Sequence, residues 1–146
     1  MARPILLDVN VLIALFDSAH VHHAAAHEWF DLNKKRGWRT CPITENGFLR
    51  ILSNPAYPNG PLSVVDLATR LEEFKRAEPP FEFWPDDFSL SKWLKETGKL
   101  LPSGKLTDVY LLKLAAARRG ALATLDRRIS CEIAAEKESE IVEWVG

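Results

Sequence analysis

The sequence predicts an α/β fold: a three-layer sandwich with a mostly parallel central sheet of four to five strands flanked by helices. Three observations carry that expectation. Short apolar runs, such as Pro4 to Leu7 and Ala121 to Leu125, alternate with longer stretches whose apolar residues recur at helical spacing. Strands that alternate with helices pair in parallel and are covered on both faces, because each crossover packs back on the sheet. The length of 146 residues suits one domain, taken as residues 1–146, and at this size about two-thirds of the unfolded chain's surface is buried on folding.

Pro4 to Leu7 is a short strand closed by Asp8, and Asn10 is placed to cap a helix running to about Phe16. A second helix, from about His22 to Lys35, sets Ala26, Trp29 and Phe30 on one face and stops at Gly37. Trp38 to Pro42 is a strand candidate. Thr44 is read as the cap of a helix with Gly47, Phe48, Ile51 and Leu52 in a stripe, ending near Asn54–Pro55. The Pro-rich stretch Asn54 to Leu62 reads as a surface excursion. Ser63 followed by Asp66 resembles a capping box for a helix to about Ala77. Phe81 to Trp84 is a strand, and Ser89 opens a short helix to about Thr97. Thr107 is read as the cap of a helix to Arg119, with Gly120 just past its end. The strand Ala121 to Leu125 follows, then a short helix from near Asp126 and a last strand from Ile141 to Val145.

Composition excludes several classes. Apolar residues make up 47% and charged residues 27%, so the chain is neither disordered nor fibrous. The longest apolar run, Val9 to Phe16, is broken by Asn10 and is far too short to cross a bilayer. No secretory signal pattern opens the sequence, and Cys41 and Cys131 suit reduced thiols better than a disulfide framework. Together these suggest a cytoplasmic protein without a membrane partner.

Four acids stand out by position. Asp8 and Asp126 each end an apolar strand, while Glu45 and Asp108 sit in the first turns of helices. In open α/β sheets such positions converge beyond the C-terminal strand ends, where ligands bind. For any one acid, helix capping and the helix dipole are a sufficient explanation. The set is harder to explain that way, because a strand buried up to its terminal carboxylate needs a partner for the charge. Four carboxylates brought together repel one another, which points to a hard divalent cation with oxygen ligands, Mg²⁺ or Mn²⁺. A cation so held binds phosphate oxygens and activates water, and the reaction class that follows is phosphodiester hydrolysis. The net charge is −1; setting four pooled carboxylates aside leaves +3 on the remainder, compatible with a polyanionic substrate.

Other residues invite weaker readings. His23 and His27 share a helix face but lack the intervening Glu of a zinc-protease helix, so they are expected to cap and pack, as are His20 and His22. Arg36, Arg39, Arg50, Arg127 and Arg128 could reach phosphates. Arg50 and Arg127 are the stronger candidates for such phosphate contacts, each sharing an element with one of the acids. Trp29, Phe30, Phe48 and Tyr110 are read as core or dimer-interface residues, and Glu132 to Glu143 as a solvated helix and strand edge.

The stretches Leu7-Asp8-Val9-Asn10-Val11-Leu12-Ile13, Thr44-Glu45-Asn46-Gly47-Phe48-Leu49-Arg50, Leu106-Thr107-Asp108-Val109-Tyr110-Leu111 and Ala123-Thr124-Leu125-Asp126 span nearly the whole chain. In their order and spacing the sequence resembles the PIN-domain ribonucleases, and within them the VapC-type toxins of toxin–antitoxin pairs. The resemblance implies that Asp8, Glu45, Asp108 and Asp126 form a catalytic, metal-binding acidic quartet, with Asp8 and Asp108 the most direct ligands. It also implies that Thr124 and Asn10 support the quartet from behind. It implies a homodimer, a small antitoxin that covers the site, Mg²⁺ or Mn²⁺ as cofactor, and a structured RNA substrate, tRNA or rRNA. Asn54 to Gly104 is the least family-like part, where substrate choice and antitoxin fit are expected to reside. Two rivals stand beside this reading. One is a non-catalytic PIN-like module that binds RNA or protein. The other is a Mg²⁺-binding receiver-like signalling domain, disfavoured because Asp8 stands alone after the first strand and Asp126 comes too late to be the phospho-acceptor.

Overall fold

The computed structural model describes residues 2–128 and 140–146. Its strands are Ile5–Leu7 (β1), Trp38–Thr40 (β2), Phe81–Phe83 (β3), Ala121–Thr124 (β4) and Val142–Trp144 (β5). They form one sheet in the order β3-β2-β1-β4-β5, and every pairing is parallel. The expected mostly parallel sheet is thus wholly parallel among the described residues, at the upper end of the expected strand number. The chain lays β1, β2 and β3 outward in one direction, then returns to place β4 and β5 on the other side of β1. The order reverses between β1 and β4, and α/β sheets open a crevice beyond the strand ends at such a reversal. Those are the two strands that run into Asp8 and Asp126.

Six helices cover the faces among the described residues: Val9–Phe16 (α1), His23–Asn33 (α2), Pro42–Leu52 (α3), Val64–Ala77 (α4), Leu90–Thr97 (α5) and Leu106–Ala117 (α6). The alternation of strand side chains divides the core. Ile5 and Leu7 face Val11, Leu12, Phe30, Trp38, Phe48 and Leu71 on the side of α1 to α4. Leu6 faces the opposite way, onto Leu111, Leu114, Leu122 and Trp84. Phe30, Trp38, Phe74 and Phe81 pack with ring centroids 4.5 to 5.6 Å apart. Trp38 buries its ring and donates Nε1–H to the Glu78 carbonyl at 2.7 Å, as a buried indole requires.

Three expected caps move. Asp8, not Asn10, caps α1, its Oδ1 accepting from the Val9 amide at 2.7 Å; with two good capping residues two apart, the one directly ending the strand takes the role. Cys41 occupies the cap position of α3, and the Thr44 hydroxyl reaches back to accept from the Cys41 amide at 2.9 Å. The start of α6 lies at Leu106, which puts Thr107 inside the first turn without a capping bond. Ser63 and Ser89 cap α4 and α5 as expected, accepting from the amides of Asp66 at 3.4 Å and Lys92 at 3.3 Å.

Beyond α6 the left-handed residue is Arg119, φ 56°, rather than Gly120. Gly120 is required for space: a Cβ there would stand 2.5 Å from Trp84 Cη2 and 2.9 Å from the Pro4 carbonyl oxygen. The loop Asn54 to Leu62 runs over the surface as expected and is anchored there. Buried Asp17, just past α1, accepts from the Tyr57 hydroxyl, from Asn59 Nδ2 at 2.8 Å and from the Ala19 amide at 3.0 Å, which staples that loop to the end of α1. Near Asp126, where a helix is expected to begin, Arg127 and Arg128 form a turn; the rest of that expected helix and most of the Glu-rich stretch, with Cys131, lie outside the described residues. Within the described part, Glu143 pairs with Arg36 through two bonds of 2.8 and 2.5 Å.

Candidate active site

The end of β1 delivers Asp8 into the cap of α1, and the end of β4 delivers Thr124 beside it. The Thr124 hydroxyl donates to Asp8 Oδ2 at 2.8 Å. Its oxygen accepts in turn from Asn10 Nδ2 and from the Asp126 amide, each at 3.1 Å. Asn10 Oδ1 accepts from the Leu125 amide at 3.0 Å. Asn10 and Thr124 therefore tie the β1–α1 junction to the β4 terminus, and the hydroxyl's two acceptor positions and one proton are all used.

The electrostatics grade the acids. Burial pushes the Asp8 carboxyl up to about 6 against the pull of its bonds from Thr124 and Val9, and the charges of Asp108 and Asp126 push the same way. Asp108, half-buried in the first turn of α6, is raised by burial and by Asp126, while Lys105 and Arg128 oppose. Asp126 is held below the usual carboxylate range, chiefly by Arg128, whose Nε donates at 3.1 Å and whose amide donates at 2.9 Å. The structure thus brings Asp8, Asp108 and Asp126 into mutual influence around Thr124 and Asn10.

Glu45 is placed differently. It sits in the first turn of α3, as read from the sequence, but its Oε2 accepts from the Thr40 hydroxyl and pairs with Lys75 Nζ at 2.9 Å. Of the two arginines read as phosphate contacts, Arg50 is exposed on α3. Arg127 is committed elsewhere: it donates to the Gly146 carbonyl at 2.7 Å and lies 5.4 Å from the Trp144 ring centroid. The basic groups that border the acids are Arg128, Lys105 and Lys75. An Asp that bonds the amide two residues on is a common turn, so Asp126-Arg127-Arg128 carried a readable signal for Arg128. Lys105 lies one helical turn before Asp108. Nothing local pointed to Lys75.

His23 and His27 are structural. His23 Nδ1 lies 2.7 Å from the Ala14 carbonyl and His27 Nε2 lies 2.8 Å from the Leu15 carbonyl, so both rings secure the end of α1. A concavity of about 530 Å³ is lined by Pro4, Arg39, Glu82, Trp84, Asp87 and Arg118, and not by Asp8, Glu45, Asp108 or Asp126. Arg39 and Arg118 already face Glu82 at 3.8 Å and Asp87 at 2.5 Å.

The donor set is all carboxylate oxygen, two members of which resist ionisation where they stand, and this is the chemistry that a hard divalent cation relieves. Among the described residues no three His, Cys, Asp or Glu side chains enclose a common point closely enough to hold an ion unaided. Such a set fits Mg²⁺, which keeps several waters and takes only one or two carboxylates directly.

A wholly parallel sheet that reverses order between β1 and β4, with carboxylates gathered beyond that reversal, defines an α/β domain with an acidic site at its switch point, and the chain belongs to the PIN domain family, which matches residues 5–134. Membership sets aside the receiver-like alternative. Among curated proteins of Mycobacterium tuberculosis, the chain is 41% identical to Ribonuclease VapC44 over 129 residues, 86% of this chain and 87% of the relative. It is 40% identical to Ribonuclease VapC38 over 121 residues, 83% and 84% of the two chains. It is 38% identical to Ribonuclease VapC39 over 130 residues, 86% and 90%. No helix among the described residues is long and apolar enough to cross a membrane.

Proposed function

We propose that this protein is an endoribonuclease of the VapC toxin type, acting in the cytoplasm as a homodimer, dependent on Mg²⁺ or Mn²⁺ and silenced by a cognate antitoxin. Its substrate is a structured RNA, tRNA or rRNA. The observation that carries the reading is the cluster of Asp8, Asp108 and Asp126 beyond the sheet's reversal point, where Thr124 bonds both Asp8 Oδ2 and the Asp126 amide and where burial and the charge of Asp126 raise the other two carboxyls. The relatives' ribonuclease names are consistent with it.

Asp8 and Asp108 would hold the metal directly, and Asp126 and Glu45 would complete the site directly or through water. When bound, the ion would supply positive charge to the phosphoryl oxygens and to an attacking water. Thr124 keeps Asp8 Oδ2 oriented, and Asn10 keeps Thr124 oriented. Arg128 and Lys105 flank the acids with the charge that a phosphate backbone seeks. Products with 5′-phosphate and 3′-hydroxyl ends follow from the family pattern.

The test is incubation of the purified protein, freed of any partner, with total cellular RNA in Mg²⁺, Mn²⁺ or EDTA, with Asp8→Asn as control and cut ends mapped by sequencing. Discrete metal-dependent cuts that vanish in the variant are expected. Equal cutting in EDTA, or by the variant, would refute the site. No cutting in any arm by folded protein would favour the non-catalytic binding module.

A further inference from the structure

Lys75 lies on α4, thirty positions from Glu45 in sequence, yet its ammonium is 2.9 Å from Glu45 Oε2. The lysine side chain is 12% exposed and the glutamate 21%, so water screens this pair less than a surface one. Four further contacts define the arrangement. The Thr40 hydroxyl donates to the same Glu45 oxygen. Lys75 also pairs with Glu72 one turn back on α4, whose side chain is 56% exposed. The ammonium stands 5.1 Å from the Phe81 ring centroid and 6.0 Å from that of Phe83, so two aromatic faces of β3 help to fix it.

These contacts are asymmetric. Lys75 is held by Glu72 and by the two rings whether or not Glu45 stays with it. Glu45 is held by Lys75 and one hydroxyl. Glu45 can therefore leave without stranding the lysine, which keeps Glu72 and both rings. Meanwhile the charges that bear on Asp8 are those of Asp108 and Asp126.

We infer that Lys75 is a positioning residue that holds Glu45 in reserve, keeping the fourth acid out of the Asp8–Asp108–Asp126 cluster until a divalent cation recruits it. The inference rests on the metal-dependent reading above. It gives the metal-free site three mutually repelling carboxylates instead of four, and it sets part of the cost of metal binding as the cost of releasing Glu45 from Lys75. After release, Lys75 remains neutralised by Glu72.

The experiment is calorimetry of Mg²⁺ and Mn²⁺ binding to the RNA-free protein, for wild type, Lys75→Gln, Lys75→Arg, Glu45→Gln and the double variant Lys75→Gln/Glu45→Gln, with melting temperature in EDTA measured in parallel. Lys75→Gln is expected to tighten the metal Kd roughly fivefold, the scale of one partly buried ion pair, while lowering the metal-free melting temperature. Those opposite signs separate positioning from a merely structural role. Lys75→Arg should restore wild-type affinity. In the Glu45→Gln background the effect of Lys75→Gln should vanish, because the lysine acts through the glutamate. An equal tightening in that background would show a bare charge effect and overturn the inference, as would metal affinity unchanged or weakened by Lys75→Gln alone. If no variant and no wild type binds either metal, the metal-dependent reading itself fails.

Discussion

Thr124 and Asp8 lie 116 positions apart, and the threonine hydroxyl donates to Asp8 Oδ2 at 2.8 Å inside the buried end of the sheet. One side chain on β4 thus determines which way the carboxylate after β1 faces. The same oxygen also serves Asn10 and the Asp126 amide, so removing it strands three polar groups at once.

Thr124→Val keeps the shape and deletes the hydroxyl. Stranded buried partners cost on the order of 1–3 kcal/mol each when nothing replaces them, and water at the half-open edge recovers part. The expected loss is about 2–3 kcal/mol in urea unfolding at pH 7.5. Because the bond from Thr124 lowers the Asp8 carboxyl, that carboxyl should titrate higher still in the variant, read by carbon NMR of the side chain. Thr124→Ser should behave like wild type in both measurements. An unshifted Asp8 in Thr124→Val would show that the hydroxyl does not govern it.

How much of this was legible depends on the range of the forces involved. The alternation of strand and helix is local, so the layers and the edge that carries Asp8 and Asp126 could be read from residue order. Which residue caps a helix was less legible, because Asp8 and Asn10 both suit the role and only the strand's end point decides between them. Arg127 and Arg128 are adjacent and chemically alike; the turn at Asp126 gives Arg128 to the acids and sends Arg127 to Trp144 and the Gly146 carbonyl. The Lys75–Glu45 pair was invisible, since it is made by packing α4 against the start of α3, and no sequence spacing records that contact. The histidines were expected to pack, but their carbonyl partners on α1 follow only from how α2 crosses it.

Gly47 faces Val9 at the crossing of α1 and α3, where an added Cβ would stand 2.9 Å from Val9 Cγ2. Gly47→Ala therefore sets two effects against each other. Alanine gains about 1 kcal/mol of helix propensity, while overpacking costs about 1–3 kcal/mol. Overpacking should win in the native background, giving net destabilisation of about 1 kcal/mol in urea. With Val9→Ala the clash is gone, and the same Gly47→Ala change should stabilise by up to about 1 kcal/mol. Failure of the sign to reverse would mean that the crossing is not set by this contact.

The carbonyls of Ala14 and Leu15 can only accept, so His23 must carry its proton on Nδ1 and His27 on Nε2. Nitrogen-15 NMR of the two imidazoles at pH 8 should show opposite tautomers. His23→Ala and His27→Ala should each cost about 1 kcal/mol, the net worth of one hydrogen bond, with no change in metal affinity. Matching tautomers would place the rings elsewhere, and loss of metal binding in either variant would revive a ligand role for them.

The metal-free protein should lose stability as pH rises through the window that Asp8 defines. Its carboxyl ionises at about 6 in the folded chain against 3.8 for the ordinary group. Between those values the folded chain keeps a proton that the unfolded chain has shed, so stability is fully present below about 4, falls as pH rises, and is fully lost above about 6. The loss is on the order of 3 kcal/mol at most. Asp108 is raised too and adds a slope of the same sign, so the quantity to measure is the difference between wild type and Asp8→Asn in urea unfolding from pH 4 to 7.5 in EDTA. Wild type should fall steadily behind the variant as pH rises, and the difference should level off once pH is well past the Asp8 value of about 6. Millimolar Mg²⁺ should then restore wild type at pH 7.5, where the carboxylate is ionised and able to bind it, and should do nothing at pH 4 or in the variant. A wild-type profile parallel to that of Asp8→Asn would mean that Asp8 is not held in the buried, repelled state the geometry describes.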